Sequence, residues 1–411
     1  MKGHIYEKCM VLFVLILFFS LIGSPIISSS KEIDNTLFIN KNRFKDKDVD
    51  TKIEKLLRLC HVPSLSVSIV SNNTTVLRKG YGFYDIKNKK TVENDTIYPI
   101  GSVTKLITAT AIMQLVENES YDLDLDDDVS KYLGFNLKNP NFPDVNITLR
   151  MLLAHQSSLS EPFFSFCIYF SFFGYSYSWL KEYLLENGSF YNPHAWNNYA
   201  PGEDVYYSSV GIELLGFIIE RLTGLTYNQY CKKYILEPLE MDNSSFYLSD
   251  FKIENIAKPY TCFIFKYIEL PHIQSKTFAM GGLKSTPSDL SHFLIAYTNQ
   301  GVYNNKRVLK KETIDEMFTI QYPKSYVGGT FRFGLGWYFW EEDGEKYCAH
   351  GGLHPGYRAE LRLRLSDNTG IIYFWNQCHI VLHFIRSPFF ERYFYKEIHD
   401  LLFEKADEII V

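Results

Sequence analysis

Apolar and polar positions along this chain fall into three regimes. Near the start, "KDKDVDTKIEKLLRLC" (45–60) repeats its apolar residues at helical spacing, and "SLSVSIV" (64–70) alternates strictly, which predicts a helix and then a strand. Asn72-Asn73 is a turn signal, and "TTVLRKGYGFYDI" returns as the partner strand. The middle is mostly helical in pattern. "ITLRMLLAHQSS" holds one short helix, "SVGIELLGFIIERLTG" is amphipathic and closes on Gly224, and "YNQYCKKYILEPL" stops at Pro238. "TPSDLSHFLIAYTNQG" opens with a Thr-Pro start and ends at Gly301. The last part returns to strands. "GLGWYFWEE" and "EKYCAH" flank Asp343-Gly344, "RAELRLRLS" alternates, "GIIYFWNQ" follows, and an amphipathic helix spans about 390–408.

Two strands thus come from the first part and at least three from the last. The economical arrangement is an α+β fold in which one antiparallel sheet is built from both ends of the chain and covered by the first and last helices. Residues 45–104 and 275–411 form the sheet domain, and 105–274 form an inserted, mostly helical domain. A cleft between the two is the expected place for a small-molecule site.

One helix breaks the amphipathic rule. From Leu106 to Val116 there is no charge, Gly or Pro, and apolar residues wrap nearly the whole circumference, so this helix is expected to be buried. Lys105 stands in its first turn, three residues after Ser102. An unpartnered ammonium is costly there, and burial lowers a lysine pKa toward the range of a useful base. Residues i and i+3 share a helix face, and the positive end of the helix dipole favours an alkoxide. That is an activated nucleophile beside its base. The spacing alone is weak: Ser-x-x-Lys recurs at Ser28/Lys31, Ser178/Lys181 and Ser249/Lys252. A snorkelling lysine and an N-cap serine would give the same pattern.

Composition narrows the class. The 411 residues are 46% hydrophobic and 22% charged, with a formal net charge of −5 and no strong basic run, which argues against nucleic-acid binding. Lys2 and Lys8 precede the uncharged run "CMVLFVLILFFSLIGSPIISSS", which reads as a signal peptide over residues 1–30 with a small-residue site near Ser28–Ser30. The alternative is a retained signal anchor that tethers the protein to a membrane, since Cys9 to Ile27 is nearly long enough to span one. Asn-x-Ser/Thr acceptors at Asn72, Asn73, Asn94, Asn118, Asn146, Asn187 and Asn243 agree with a secreted glycoprotein. Cys9 lies in the leader. Cysteines 60, 167, 231, 262, 348 and 378 are available for disulfides in an oxidising compartment, with no readable pairing, and no C-x-x-C marks a zinc or redox site. The uncharged, aromatic stretch 162–180 reads as a lid or acyl-binding wall, as a buried helix, or as a membrane-touching patch.

Several ordered blocks resemble the serine beta-lactamase-related family, which includes class C beta-lactamases, D-alanyl-D-alanine carboxypeptidases and esterases. They are "VPSLSVSIV", "DTIYPIGSVTK", "LLAHQSSLS", "APGEDVYYSSVGIELLGFIIERLTG", "YILEPLEMDNSSF", "MGGLKSTPSDLSHF", "FGLGW" and "HGGLHPG", covering about residues 45 to 385. The resemblance implies a beta-lactamase-like fold and an acyl-enzyme serine hydrolase without metal or organic cofactor. It implies that Ser102 is the nucleophile, Lys105 its base and Tyr207, rather than Tyr206, the proton relay. His350 takes the place of the lysine in the relatives' Lys-Thr-Gly strand, where it would hold a substrate carboxylate or an ordered water and titrate near neutrality. Gly352 leaves room for substrate along the strand, and the amides of Ser102 and Leu353 would form the oxyanion hole. Two departures stand out. Ser209 replaces the usual Asn after Tyr-Ser and cannot offer an amide's paired donor and acceptor, which weakens the expectation of beta-lactam turnover. Ser157-Ser158 stands where relatives have Ser-Gly. The expected substrate is a small ester, amide or peptide; the competing expectation is a non-catalytic binding or self-assembling protein on the same fold.

Overall fold

The computed structural model describes residues 48–160, 177–263, 266–322, 331–378 and 387–410. The leader, Cys167 and most of the aromatic stretch lie outside them.

Helix α1 (Val49–Leu59) starts on Asp48, whose carboxylate accepts the Thr51 amide, and buries Val49, Ile53, Leu56 and Leu57. Strands β1 (Ser64–Ser71) and β2 (Thr74–Asp85) follow as a hairpin. Its turn residues Asn72 and Asn73 have φ of 50° and 57°, the left-handed pair that a two-residue hairpin turn demands. After β3 (Lys90–Thr91) the chain enters α2 (Thr104–Glu117). Helices α3 (Ser209–Thr223) and α4 (Pro287–Thr298) come later, each with a side-chain N-cap, Ser208 and Thr286. The final strands are β4 (Arg332–Phe333), β5 (Tyr338–Glu342), β6 (Glu345–His354), β7 (Tyr357–Arg364) and β8 (Thr369–Trp375), before α5 (Ser387–Ile410).

These strands form one antiparallel sheet of order β4-β5-β6-β7-β8-β1-β2-β3. The two ends of the chain meet at β1 and β8, where Leu65 opposes Trp375 and Ile69 opposes Ile371. One face, with Leu65, Val67, Ile69, Tyr373 and Trp375, packs under α1 and α5. The other face, with Ile372, Phe374, Leu361 and Leu363, joins the larger core that surrounds α2 and α3.

Strict alternation ordinarily marks a half-wet strand, yet β1 is buried on both faces. On its serine face Ser64 is held internally: its Oγ donates to Asn376 Oδ1 at 2.5 Å and lies 3.1 Å from the Tyr98 hydroxyl, whereas the buried Ser68 Oγ meets no partner among the described residues. A hairpin, Tyr260–Phe263 with Lys266–Glu269, interrupts the region expected to be mostly helical. Helix α2 is buried on nearly every side, as its sequence predicted. Its threonines are paired: Thr108 Oγ1 donates to the Ala279 carbonyl at 2.6 Å, and Thr110 Oγ1 to that of Leu106 at 2.8 Å.

Candidate active site

Ser102 sits in a tight turn, Gly101–Val103, that leads directly into α2. Strand β6 is pressed against this turn. Gly101 has φ of 51°, and a Cβ there would lie 2.4 Å from the Leu353 carbonyl oxygen; a Cβ on Gly352 would lie 1.9 Å from that of Ile100. Only glycines allow this approach, so Gly352 and Leu353 of β6 are held against the residues flanking Ser102.

Lys105 is 1% exposed. Its Nζ lies 2.9 Å from Ser102 Oγ and donates to the Met280 carbonyl at 2.7 Å. It also stands 5.1 Å from the centre of the Tyr207 ring. The lysine is therefore aimed at the serine by its neighbours rather than snorkelling to water.

Met280 is gripped a second time. The buried Glu213 of α3 accepts its amide at Oε2, 2.9 Å away. Burial pushes the Glu213 carboxyl up to about 7, against the opposing pull of the Met280 amide and the Lys105 charge. Glu213 was not among the expected site residues. Its signal was legible, however, as a lone carboxylate inside the apolar run "VGIELLGFII".

Tyr207 precedes α3 in an extended segment fixed by His155 on one side. The Ser208 amide donates to His155 Nδ1 at 3.2 Å, the Tyr206 amide donates to the His155 carbonyl, and the His155 and Tyr207 rings lie 4.5 Å apart. Burial, and then the Lys105 charge, hold the His155 imidazole well below its ordinary pKa, so it is neutral and serves as an acceptor. His155 adopts φ of 59°, and Ser158 φ of 57°. The latter explains why relatives favour glycine there; here Ser158 Oγ accepts from Asn139 Nδ2 at 2.9 Å within the core. No spacing rule in the sequence pointed to His155.

His350 lies inside β6 and is 2% exposed, with its ring 6.2 Å from that of Tyr207. Burial, and next the Lys105 charge, push its pKa down to about 3. This corrects the expectation that it titrates near neutrality: out of water the charged imidazolium is disfavoured, and any positive charge on Lys105 adds to that cost. Ser209 is the first residue of α3 and is buried at the same end of that helix. Ser102, Lys105, Tyr207, His350, Gly352 and Leu353 are thus drawn into one locale from elements more than 200 residues apart.

The Beta-lactamase family model matches residues 49–381. Protein flp of Staphylococcus aureus (strain NCTC 8325 / PS 47) is 27% identical over 340 residues, covering 79% of this chain and 62% of its own. Beta-lactamase-like protein 2 of Dictyostelium discoideum is 27% identical over 335 residues, covering 80% and 58%. The chain therefore spans about three fifths of the length of these curated relatives. Among solved structures, the octameric penicillin-binding protein homologue from Pyrococcus abyssi aligns with a TM-score of 0.65 and 29% identity, covering 80% of this chain and 72% of that one. A D-amino acid amidase from Ochrobactrum anthropi SV3, in complex with L-phenylalanine amide, aligns at 0.69 with 22% identity, covering 88% and 99%, and shares the fold.

Proposed function

Because the chain belongs to the beta-lactamase family, we propose that it is a serine hydrolase that cleaves an ester or amide through an acyl-enzyme on Ser102. One observation carries this reading: a buried lysine amine 2.9 Å from the hydroxyl of a serine at the start of a buried helix. In this reading Lys105 takes the Ser102 proton as Oγ attacks the substrate carbonyl. The Ser102 and Leu353 amides hold the developing oxyanion, each such donor contributing about 3 kcal/mol. Tyr207, beside the lysine, passes the proton to the leaving group, and water then releases the acid.

Ser209, buried and short, supports weak activity on beta-lactams; efficient hydrolysis of a chromogenic cephalosporin would overturn that part. Secretion and glycosylation belong to the same proposal. All seven acceptor asparagines are exposed, which supports it.

The test is intact-mass spectrometry after treatment with a fluorophosphonate and with penicillin, on wild type, Ser102→Ala and Lys105→Ala. A single fluorophosphonate adduct that vanishes in Ser102→Ala and forms about a hundredfold or more slowly in Lys105→Ala is expected. Folded wild-type protein that takes up no adduct would favour a binding or assembly role instead.

A further inference from the structure

The relatives' lysine at the position of His350 is a cation, and the simplest carry-over makes His350 a carboxylate holder too. The hydrogen bonding of the ring says otherwise. His350 Nδ1 lies 2.8 Å from the Gly351 carbonyl oxygen. A carbonyl can only accept, so the proton of the neutral ring is on Nδ1. Nε2 is then a bare lone pair. It is buried and meets no hydrogen-bond partner among the described residues.

The surroundings keep the ring neutral. Burial is the main cause, and a proton on Lys105 of α2 would oppose a second charge further. The Tyr207 ring lies on one side, and that of Tyr338 from β5 is 5.6 Å away. Glu360 of β7 does not supply a counter-charge to the ring directly. Its Oε2 lies under Gly351, 2.6 Å from where a Cβ would stand, and its Oε1 accepts from Tyr338.

We infer that the His350 subsite selects a hydrogen-bond donor on the substrate, an amide N–H, amine or hydroxyl, and rejects a carboxylate. A carboxylate would set its oxygen lone pairs against the lone pair of Nε2, with no proton between them. A donor would satisfy that buried acceptor. The substrate class is thereby narrowed to molecules carrying an amide, amine or hydroxyl where carboxypeptidase substrates carry their terminal acid.

Two measurements test this. The first rests on Ser102 being the reactive serine, as proposed above. N-acetyl-alanyl-alanine and its terminal amide compete with a fluorophosphonate for Ser102. The amide is expected to protect at about tenfold lower concentration, and His350→Lys to reverse the order. Stronger protection by the acid in wild type would overturn the inference, as would an order unchanged by the lysine.

The second needs no catalysis. In 15N spectra of histidine-labelled, full-length protein, His350, assigned by comparison with His350→Gln, is expected to keep an unprotonated Nε2 from about pH 8 to about pH 5. The amide should shift that resonance more than the acid does. A protonated Nε2 in that range would overturn the inference, even if Ser102 proves unreactive. An intact lone pair with no fluorophosphonate labelling would remove the hydrolase reading and leave the donor-selecting subsite standing.

Discussion

Lys105 and Glu213 hold the same residue from opposite sides. The lysine amine donates to the carbonyl of Met280, and the glutamate accepts its amide. Glu213 is a positioning residue in this arrangement. By fixing Met280 it fixes the acceptor that turns the Lys105 amine toward Ser102.

Replacing Glu213 with Leu leaves the Met280 amide unpaired in the core. That should cost about 1–3 kcal/mol of stability and slow fluorophosphonate labelling of Ser102. Thermal melts alongside labelling rates check both. Labelling as fast as wild type in a destabilised variant would reduce Glu213 to a purely structural role.

The same carboxyl gives a pH dependence. Its folded pKa is raised from 4.5 to about 7, so the native state binds the proton more tightly than the unfolded chain. The resulting stabilisation is complete below about pH 4.5 and is lost as pH rises through about 7. Glu213→Gln cannot titrate, so its melting temperature should fall less over that interval. Parallel curves for the two proteins would contradict the assignment.

Gly352→Ala should be among the most damaging single-atom changes in the protein. The added carbon would stand 1.9 Å from the Ile100 carbonyl, and only backbone movement relieves that contact. A cost of about 1–3 kcal/mol and loss of Ser102 labelling are expected. Gly344→Ala is the control for a glycine on the same strand system, since no atom lies within 4 Å of its built Cβ, although its φ of 82° adds local strain.

Ser209→Asn restores the amide that relatives carry. Acylation by penicillin, followed by intact mass, should rise about tenfold or more, because a paired donor and acceptor then faces the substrate. An unchanged rate would show that beta-lactam reactivity is limited elsewhere.

The five described cysteines, 60, 231, 262, 348 and 378, are buried and form no disulfide with one another. Burial pushes the thiols of Cys60 and Cys231 up to about 12 and that of Cys348 well above its usual value. Only the thiolate reacts, so iodoacetamide at neutral pH should leave these three sites unmodified until the protein is denatured. Peptide mapping before and after denaturation checks this; rapid native alkylation at any of the three would refute it.

Much of this was legible before any coordinates. Lys105 announced itself as a charge in the first turn of a helix with no polar face, and the two Asn residues at 72–73 marked their hairpin. Choosing Tyr207 over Tyr206 required counting along a block, and the geometry bears on it directly: Tyr207 carries the ring beside Lys105, while the Tyr206 amide is tied to His155. The environment of His350 was not legible. "EKYCAHGGLH" reads as an ordinary strand, and nothing local tells that its histidine would be sealed next to a lysine more than 200 residues away. The 260–269 hairpin was missed because its short, mixed segments carry little period-2 signal.

The pairing of β1 with β8 also sets an order of events during synthesis. Leu65 leaves the ribosome some 300 residues before Trp375, its neighbour in the sheet, and Ser102 long before Gly352 and Leu353. Until β6 to β8 emerge, the nascent chain carries its serine and lysine without the strand that presses against them. Its β1–β2 hairpin and the apolar α2 wait without their cover. Nascent chains of this kind are candidates for chaperone retention, and a protein truncated before residue 350 should accumulate as an inert, aggregation-prone species rather than as a partly active hydrolase.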